Sequence, residues 1–561
     1  MTRSIRVIAA VVWCAGLPAI GVAQVPAPAA GAQPSRTDAP TTGTAQIRGR
    51  IFDAEAGKPL RRAQIRIYNA DFRENRVTAS DEQGRYEFTE LPAGRYSLTV
   101  NKGGYVTVSY GQTRPFESGR PLELRDAQRA EKIDVSLPHG AVVTGRLVDE
   151  FGDPAPNIPV TAMRYTFVQG QKRLMPTAGS DTTNDLGEFR LFGLAPGQYY
   201  VSATRRAMLA DAASGDDRDG YATTYYPGVI NPSEALRLTL AMGQARPDVN
   251  FTLVPTRTAR ITGTAVDSKG RPMTAGTINV YQTNITIFNT LFASLRPDGS
   301  FTINGVAPGE YELHLQALPA GDGWRDVGTT RVTVAGSDIT DLRLVAEAPI
   351  TASGRVILDP PTAASLTPSA FRVNMMAMPT GPMTMTFGGT PSSAVQEDWT
   401  FTAKGTPGRN RVTISTPPGW SLKAVRLNGA DVTDTGIDFK RNQEVRNIEM
   451  EVTNHPATVS GSVTNNRGQV PADYTVVIFA RDEQRWTYPT RYIQAARPDQ
   501  DGRFKITAAP PGDYLAAAFE YIEPGQSSDP DFLKLIRDRA IAFLLGDGEA
   551  KTLNLKLIAQ P

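Results

Sequence analysis

From about residue 45 to its end, the chain is made of short runs in which apolar and polar residues alternate. Tyr86 and Phe88 are separated by Glu87, and Tyr96, Leu98 and Val100 are separated by Ser97 and Thr99. A period of two marks a strand with one buried face. Turn-forming residues interrupt these runs: Gly57-Lys58-Pro59, Gly152-Asp153-Pro154 and Gly270-Arg271-Pro272 each follow an early strand. An Asp or Asn ahead of the next Gly (Asp81, Asn184, Asp298, Asp501) is expected to begin a further turn, with the Gly taking the positive φ.

One phrase recurs. It reads Gly84-Arg85-Tyr86-Glu87-Phe88 and then Leu91-Pro92-Ala93-Gly94-Arg95-Tyr96. It returns from Gly187 to Tyr199, from Gly299 to Tyr311 and from Gly502 to Tyr514, with the aromatic, the second Gly and the Tyr always at the same offsets. The last interval is about twice the others, so a worn copy is expected between, near Trp399-Thr400-Phe401 and Thr406-Pro407-Gly408. Opening strands are expected at Ile47–Ile51, Val143–Leu147, Ile261–Ala265, Ala352–Val356 and Val459–Val463. Closing strands are expected at Ile133–Leu137, Val249–Leu253, Leu342–Leu344, Ile448–Val452 and Leu553–Leu557.

About seven short strands per hundred residues predict an all-β fold, a tandem array of about five antiparallel Greek-key β-sandwich domains. The boundaries fall at 45–138, 139–254, 255–348, 349–453 (the degenerate fourth repeat) and 454–561. One helix is expected from Asp529 to Phe543, capped by Asp529 and burying Phe532, Leu535, Ile536 and Ala540.

The ends change the picture. Arg3 and Arg6, the apolar stretch Val7 to Ile20, and Gly21-Val22-Ala23 form the pattern of a signal peptide, residues 1–23, cut after Ala23. Residues 24–44, rich in Pro and Ala, read as a linker. Cys14 is the one cysteine and would leave with the leader, so the sandwiches must hold by their own cores. Loss of Arg3 and Arg6 would also balance the 59 basic and 57 acidic side chains. Neither nucleic acid nor a transmembrane segment fits this chain, which has no basic tract and no later apolar run of about 20 residues.

The Asp-x-x-Gly-x-aromatic and Pro-Gly-x-Tyr phrases resemble those of the carboxypeptidase regulatory-like domain, a transthyretin-like (prealbumin-like) sandwich related in shape to the starch-binding-like fold. Such domains act as appendages of enzymes or receptors, or stack as surface stalks. The resemblance implies a fold and no particular ligand. Some sandwiches of this general kind form Lys–Asn crosslinks from a Lys in the opening strand, where this chain carries Arg, Thr or Ser. Thr224-Tyr225-Tyr226-Pro227-Gly228, and the segment from Gly419-Trp420 to Asp431-Val432, resemble phrases of multi-repeat secreted proteins.

Candidate chemistry is sparse. His139, His314 and His455 stand in different repeats with no His-x-x-Glu, so a catalytic zinc site is not expected. No nucleophile elbow and no phosphate-cradling loop occurs. No catalytic residue, metal or cofactor is therefore assigned. Asp499-Gln500-Asp501-Gly502 and Asp216-Asp217 could gather oxygen ligands for calcium, but Asp-Gly turns are ordinary in sandwiches. Tyr96, Tyr199, Tyr311 and Tyr514 recur in register and are read as buried rings with a hydroxyl bonded to a turn. Tyr225, Tyr226, Trp324, Trp420 and Trp486 fall in the variable connections and are the candidate ligand contacts, rings that could stack on sugars. The expected function is a secreted, non-catalytic binding or scaffold protein, periplasmic or at the cell surface. Its leading partner is a polysaccharide or cell-surface glycan. The alternative is a structural or adhesive stalk that meets other envelope proteins, and a hydrolase is a remote third.

Overall fold

The computed structural model describes residues 42–560, apart from 70–73, 206–218, 284–290, 319–324, 362–365, 379–391 and 442. The expected leader, most of the linker, Asp216-Asp217 and Trp324 lie outside the described residues.

Buried side chains among the described residues gather into five main cores that follow one another along the chain, at Ala45–Leu137, Ala141–Leu253, Ala259–Ala346, Ile350–Val452 and Ala457–Leu555. Each lies between two small sheets, and in each the opening strand is central to its sheet. In the first repeat the opening strand Ala45–Asp53 lies between Arg85–Leu91 and the closing segments Arg129–Ala130 and Val135–Leu137. The facing sheet runs Glu74–Ala79, Gln64–Asn69, Gly94–Asn101, with Val108–Ser109 and Leu122–Leu124 at its outer edge. Alternation decides which face is inward: Tyr86 and Phe88 are buried, Glu87 and Thr89 exposed. Each such ring contributes roughly 1.5–3 kcal/mol by leaving water.

The closing side of each repeat runs against the antiparallel rule. The closing strand lies parallel to the opening strand, pairing Ile51 with Val135, Leu147 with Phe251, Ala265 with Leu344, Val356 with Met450 and Val463 with Leu555. A parallel neighbour needs a crossover through the other sheet. That geometry explains the glycine in every opening strand. Gly49, Gly145, Gly263, Gly354 and Gly461 pair across the strand with Tyr86, Phe189, Phe301, Phe401 and Phe504. A Cβ at any of them would collide with a closing-strand carbonyl oxygen, that of Ile133, Val249, Leu342, Ile448 or Leu553. In the first four repeats the preceding closing residue (Lys132, Asp248, Asp341, Asn447) takes φ near +60°. The resulting kink is where the strand leans on the glycine.

The recurring tyrosines are tied down alike. Their hydroxyls donate to carbonyl oxygens four residues back: Tyr96 to Pro92 at 2.8 Å, Tyr199 to Ala195 at 2.7 Å, Tyr311 to Ala307 at 2.8 Å and Tyr514 to Pro510 at 2.7 Å. The fourth repeat has Asn410 at this place, and its Nδ2 donates to Thr406 O at 2.8 Å. The worn repeat thus keeps the bond after losing the ring. It also keeps the turn, with Trp399 at φ 64° where the other copies place glycine.

Two sequence expectations need correction. In the first, second and fifth repeats the turn-initiating side chain is three residues before the Gly, not next to it, as where Asp499 Oδ1 accepts from the amides of Asp501 and Arg503, both at 2.9 Å. In the third, Asp298, next to Gly299, accepts from Ser300 N at 2.9 Å. Asp81 and Asn184 already stand at that place. The helix is also shorter than its periodicity suggests, spanning Pro530–Ile536 and followed by a tight turn at Arg537–Arg539 and a strand at Ile541–Leu545. Asp529 does cap it, accepting from Asp531 N at 3.1 Å. Its buried face is Phe532, Leu533 and Ile536, while Leu535 is exposed. Phe543 belongs to the edge strand that pairs with Gly512–Phe519. The helix covers the outer face of the fifth repeat's second sheet, which makes Thr475–Ala480 buried at every position.

Candidate interface between the terminal repeats

Residues 110–121 of the first repeat connect its two short outer strands and touch both the second and the fifth repeats. The loop is stiffened from within. Gln112 Oε1 accepts from Ser109 N at 3.0 Å, and Gln112 Nε2 donates to Arg114 O at 2.9 Å. Glu117 Oε2 accepts from Thr113 N and Oγ1, both at 3.1 Å, and from Arg114 N at 3.2 Å. Phe116 takes φ 64° and packs its ring against the second core, 6.3 Å from Tyr199.

From this loop the first repeat reaches the fifth. Thr113 Oγ1 lies 3.0 Å from Asp473 Oδ2, so its one hydroxyl hydrogen is shared between Asp473 and Glu117. Arg114 donates to Glu520 Oε1 at 2.5 Å and to its backbone carbonyl at 3.0 Å, and its guanidinium lies 5.3 Å from the Tyr521 ring centre. Arg120 Nη2 donates to Asp499 O at 2.7 Å. Glu123 and Gln500 exchange two bonds, at 3.1 and 2.9 Å. At the centre Arg497 pairs with Asp473 and, at 3.3 Å, with Glu117. The side chains of Arg497 and Glu117 are 6% and 4% exposed. At such burial the mutual attraction is screened little by water, and loss of one partner leaves an uncompensated charge.

The fifth repeat meets two further neighbours. Arg491 forks onto both Asp434 oxygens of the fourth repeat at 2.9 Å, and Arg411 Nη2 donates to Pro489 O at 2.7 Å. Lys423 of the fourth repeat sits among Asp359 at 2.6 Å, Asp547 at 2.8 Å and Glu451 at 3.1 Å, and these carboxylates push its pKa upward. Gly525 packs on the backbone of Phe167 in the second repeat. The array is therefore folded back, its last domain seated on its first.

Two clefts flank the loop. One, of about 370 Å³, lies between the first and fifth repeats and is lined by Tyr68, Arg95, Glu117, Arg497 and Glu523 among others. The second, of about 410 Å³, lies between the first and second repeats.

The sequence-predicted ligand contacts do not converge on either cleft. Tyr225 is 1% exposed and Trp486 is 2% exposed, and the Trp486 indole donates to Ala480 O at 2.7 Å. Burial removes both from the rings that could stack on a sugar, because neither has an open face. Tyr226 is half-buried against the second core, edge-on to Phe251 at 5.9 Å. Trp420 is half-buried against the fourth core, 6.2 Å from Phe371. Among the described residues no group of three or more His, Cys, Asp or Glu is placed to hold a metal, and Asp499 spends its carboxylate on its own turn. No helix among them is long and apolar enough to cross a membrane. Sequence reasoning missed Arg497, Asp473 and Glu117. They carry no motif, and a charged residue bound for an interface looks like any solvated one.

The first repeat carries both the cross-strand glycine, Gly49, and the fixed tyrosine bond, that of Tyr96. Residues 46–137 match the carboxypeptidase regulatory-like domain. The match covers the first repeat, the regulatory-like domain that supplies the 110–121 loop. Among curated proteins none matches the chain. Solved structures similar to it include the TIE protein of Bacillus anthracis, at 9% identity over 74% of this chain and 73% of that one, with a TM-score of 0.15. A streptococcal ancillary pilin is 12% identical over 54% of this chain and 98% of that one, with a TM-score of 0.17. The minor pilin of Streptococcus agalactiae is 11% identical over 38% and 98%, with a TM-score of 0.21.

Proposed function

We propose that the protein is a non-catalytic scaffold exported from the cytoplasm, whose sandwiches are locked into one body that presents its loops to a partner. The observation that carries this reading is the buried Arg497–Asp473–Glu117 cluster joining the fifth repeat to the first. A chain that served only as a flexible tether would have no use for a charge cluster sealed between its two ends. Closure makes the surface loops a rigid array, and rigid loops lose less entropy on binding. The export part of the reading rests on the leader pattern in residues 1–23.

A saccharide ligand is the finer reading. It is favoured by the cleft of about 370 Å³, where Tyr68, 38% exposed, stands with Arg95 and Glu523. Planar polar groups beside an open aromatic face suit a sugar ring.

Small-angle scattering tests the scaffold. The wild-type chain should scatter as a closed body, and an Arg497→Glu, Arg120→Glu variant should show a larger radius of gyration with its circular dichroism unchanged. A wild-type profile of five domains in a flexible line would end the proposal. Pull-down on a polysaccharide panel with a Tyr68→Ala variant tests the finer reading separately.

A further inference from the structure

The second cleft contains a charge that the fold does not answer. Arg164 stands on the second repeat's strand Pro159–Val168, half-buried at the edge of the cleft. Its guanidinium carbon lies over the ring of Phe116 of the first repeat, 3.5 Å from the ring centre. Burial pulls its pKa down, and Glu523 and two tyrosines act on it only through space. Among the described residues the Arg164 guanidinium makes no ion pair and no hydrogen bond, whereas the arginines at the neighbouring interfaces, Arg114, Arg491 and Arg497, are each paired with carboxylates. The ring beneath holds the half-buried cation by a cation–π contact but supplies no acceptor for its N–H groups. The N–H groups of a guanidinium held on a ring in this way remain available as a donor fork for an oxyanion.

The rest of the cleft is largely apolar. Val106, Met175, Pro176 and Leu194 line it, and its volume of about 410 Å³ falls in the range of small-molecule sites, roughly 300–1,000 Å³. Glu117 also borders it. One oxygen of that carboxylate is committed to Thr113 and Arg114, and the other is buried with no hydrogen-bond partner. Its negative charge disfavours a ligand carrying more than one.

We propose that this cleft is a binding site for a small amphipathic monoanion, with an apolar body in the cleft and its carboxylate or sulfonate on Arg164. This site shares Glu117 with the first cleft and with the closing cluster, but its anion contact, Arg164, belongs to neither.

The test is fluorescence titration of the whole chain with 8-anilinonaphthalene-1-sulfonate. N-phenyl-1-naphthylamine, which has the same apolar body without the charge, is titrated alongside. Arg164→Gln should weaken the anionic dye by roughly tenfold or more, the worth of a charge-assisted bond, and leave the neutral dye within about twofold. Decanoate should displace the anionic dye and decanol should not. Met175→Trp, which fills the cleft from the position directly across the strand from Arg164, should abolish saturable binding of both dyes while leaving the melting temperature close to wild type. Equal loss of both dyes in Arg164→Gln, unchanged anionic binding in that variant, or saturable binding that survives Met175→Trp would each overturn the proposal.

Discussion

Arg497 of the fifth repeat lies 3.3 Å from Glu117 of the first, across more than three hundred residues of chain, and both side chains are almost wholly buried. The pair fastens the two ends of the array. Removing the cation alone, in Arg497→Met, leaves Glu117 and Asp473 facing each other inside the interface, and the expected loss is about 3–5 kcal/mol. Adding Glu117→Gln and Asp473→Asn should recover most of it, because the repulsion goes with the charges. Urea unfolding of the three chains checks this. A single variant as stable as wild type would mean that the cluster does not hold the closure.

The opening-strand glycines should not tolerate even one methyl group. In Gly145→Ala the new Cβ meets the Val249 carbonyl, which is backbone and cannot turn aside. The second repeat should lose about 3 kcal/mol or more, in the range of the severe strain mechanisms. Gly103→Ala is the control, since its Cβ would meet nothing within 4 Å. That change should be neutral or gain up to about 1 kcal/mol through the unfolded state. Thermal melts of the two variants would separate the cases.

The left-handed Trp399 reverses the usual order of two substitutions. Both Trp399→Ala and Trp399→Gly lose the contact with Phe371 at 5.4 Å. At φ 64° a Cβ costs about 1–2 kcal/mol that glycine does not incur. Trp399→Gly should therefore be the more stable variant by about 1 kcal/mol, whereas glycine is normally the worse choice inside a β-structure. Comparing the two by chemical denaturation gives the sign.

Alkaline pH should loosen the second and third repeats. Burial pushes the hydroxyls of Tyr199 and Tyr311 up to about 12, from an ordinary value of 10. Below pH 10 both states keep the proton and the contribution is constant. From there to about 12 the unfolded chain gives up its protons first, so stability falls as pH rises. A Tyr199→Phe, Tyr311→Phe chain should start less stable, because two buried carbonyls lose a donor. Its stability should then fall less steeply over the same window. Urea midpoints at pH 9, 10 and 11 for both chains would show it.

Much of each sandwich is legible in the sequence, and the reason is locality. Alternation at Tyr86 and Phe88 assigns an inward face without reference to any other part of the chain. The bond from Tyr199 back to Ala195 spans four residues, so a fixed spacing encodes it. Asn410 shows the limit: its amide does the work of a tyrosine hydroxyl, but no residue-by-residue reading of the worn repeat points to it. The parallel closing strand is a second case. Its pairing joins segments some eighty to a hundred residues apart, and the sequence reveals it only through a glycine whose neighbour is a distant carbonyl.

The sequence by itself determined the repeat, its inward-facing residues, its turns and the scarcity of catalytic groups, because strand period and turn chemistry act over a few residues. Only the tertiary structure decided that the fifth domain sits on the first, that Tyr225 and Trp486 are core rather than contact, and that Arg164 is left facing an apolar cleft. Those outcomes depend on how whole domains pack. Burial of a ring, or pairing of a charge, is a property of what arrives beside it from elsewhere in the chain.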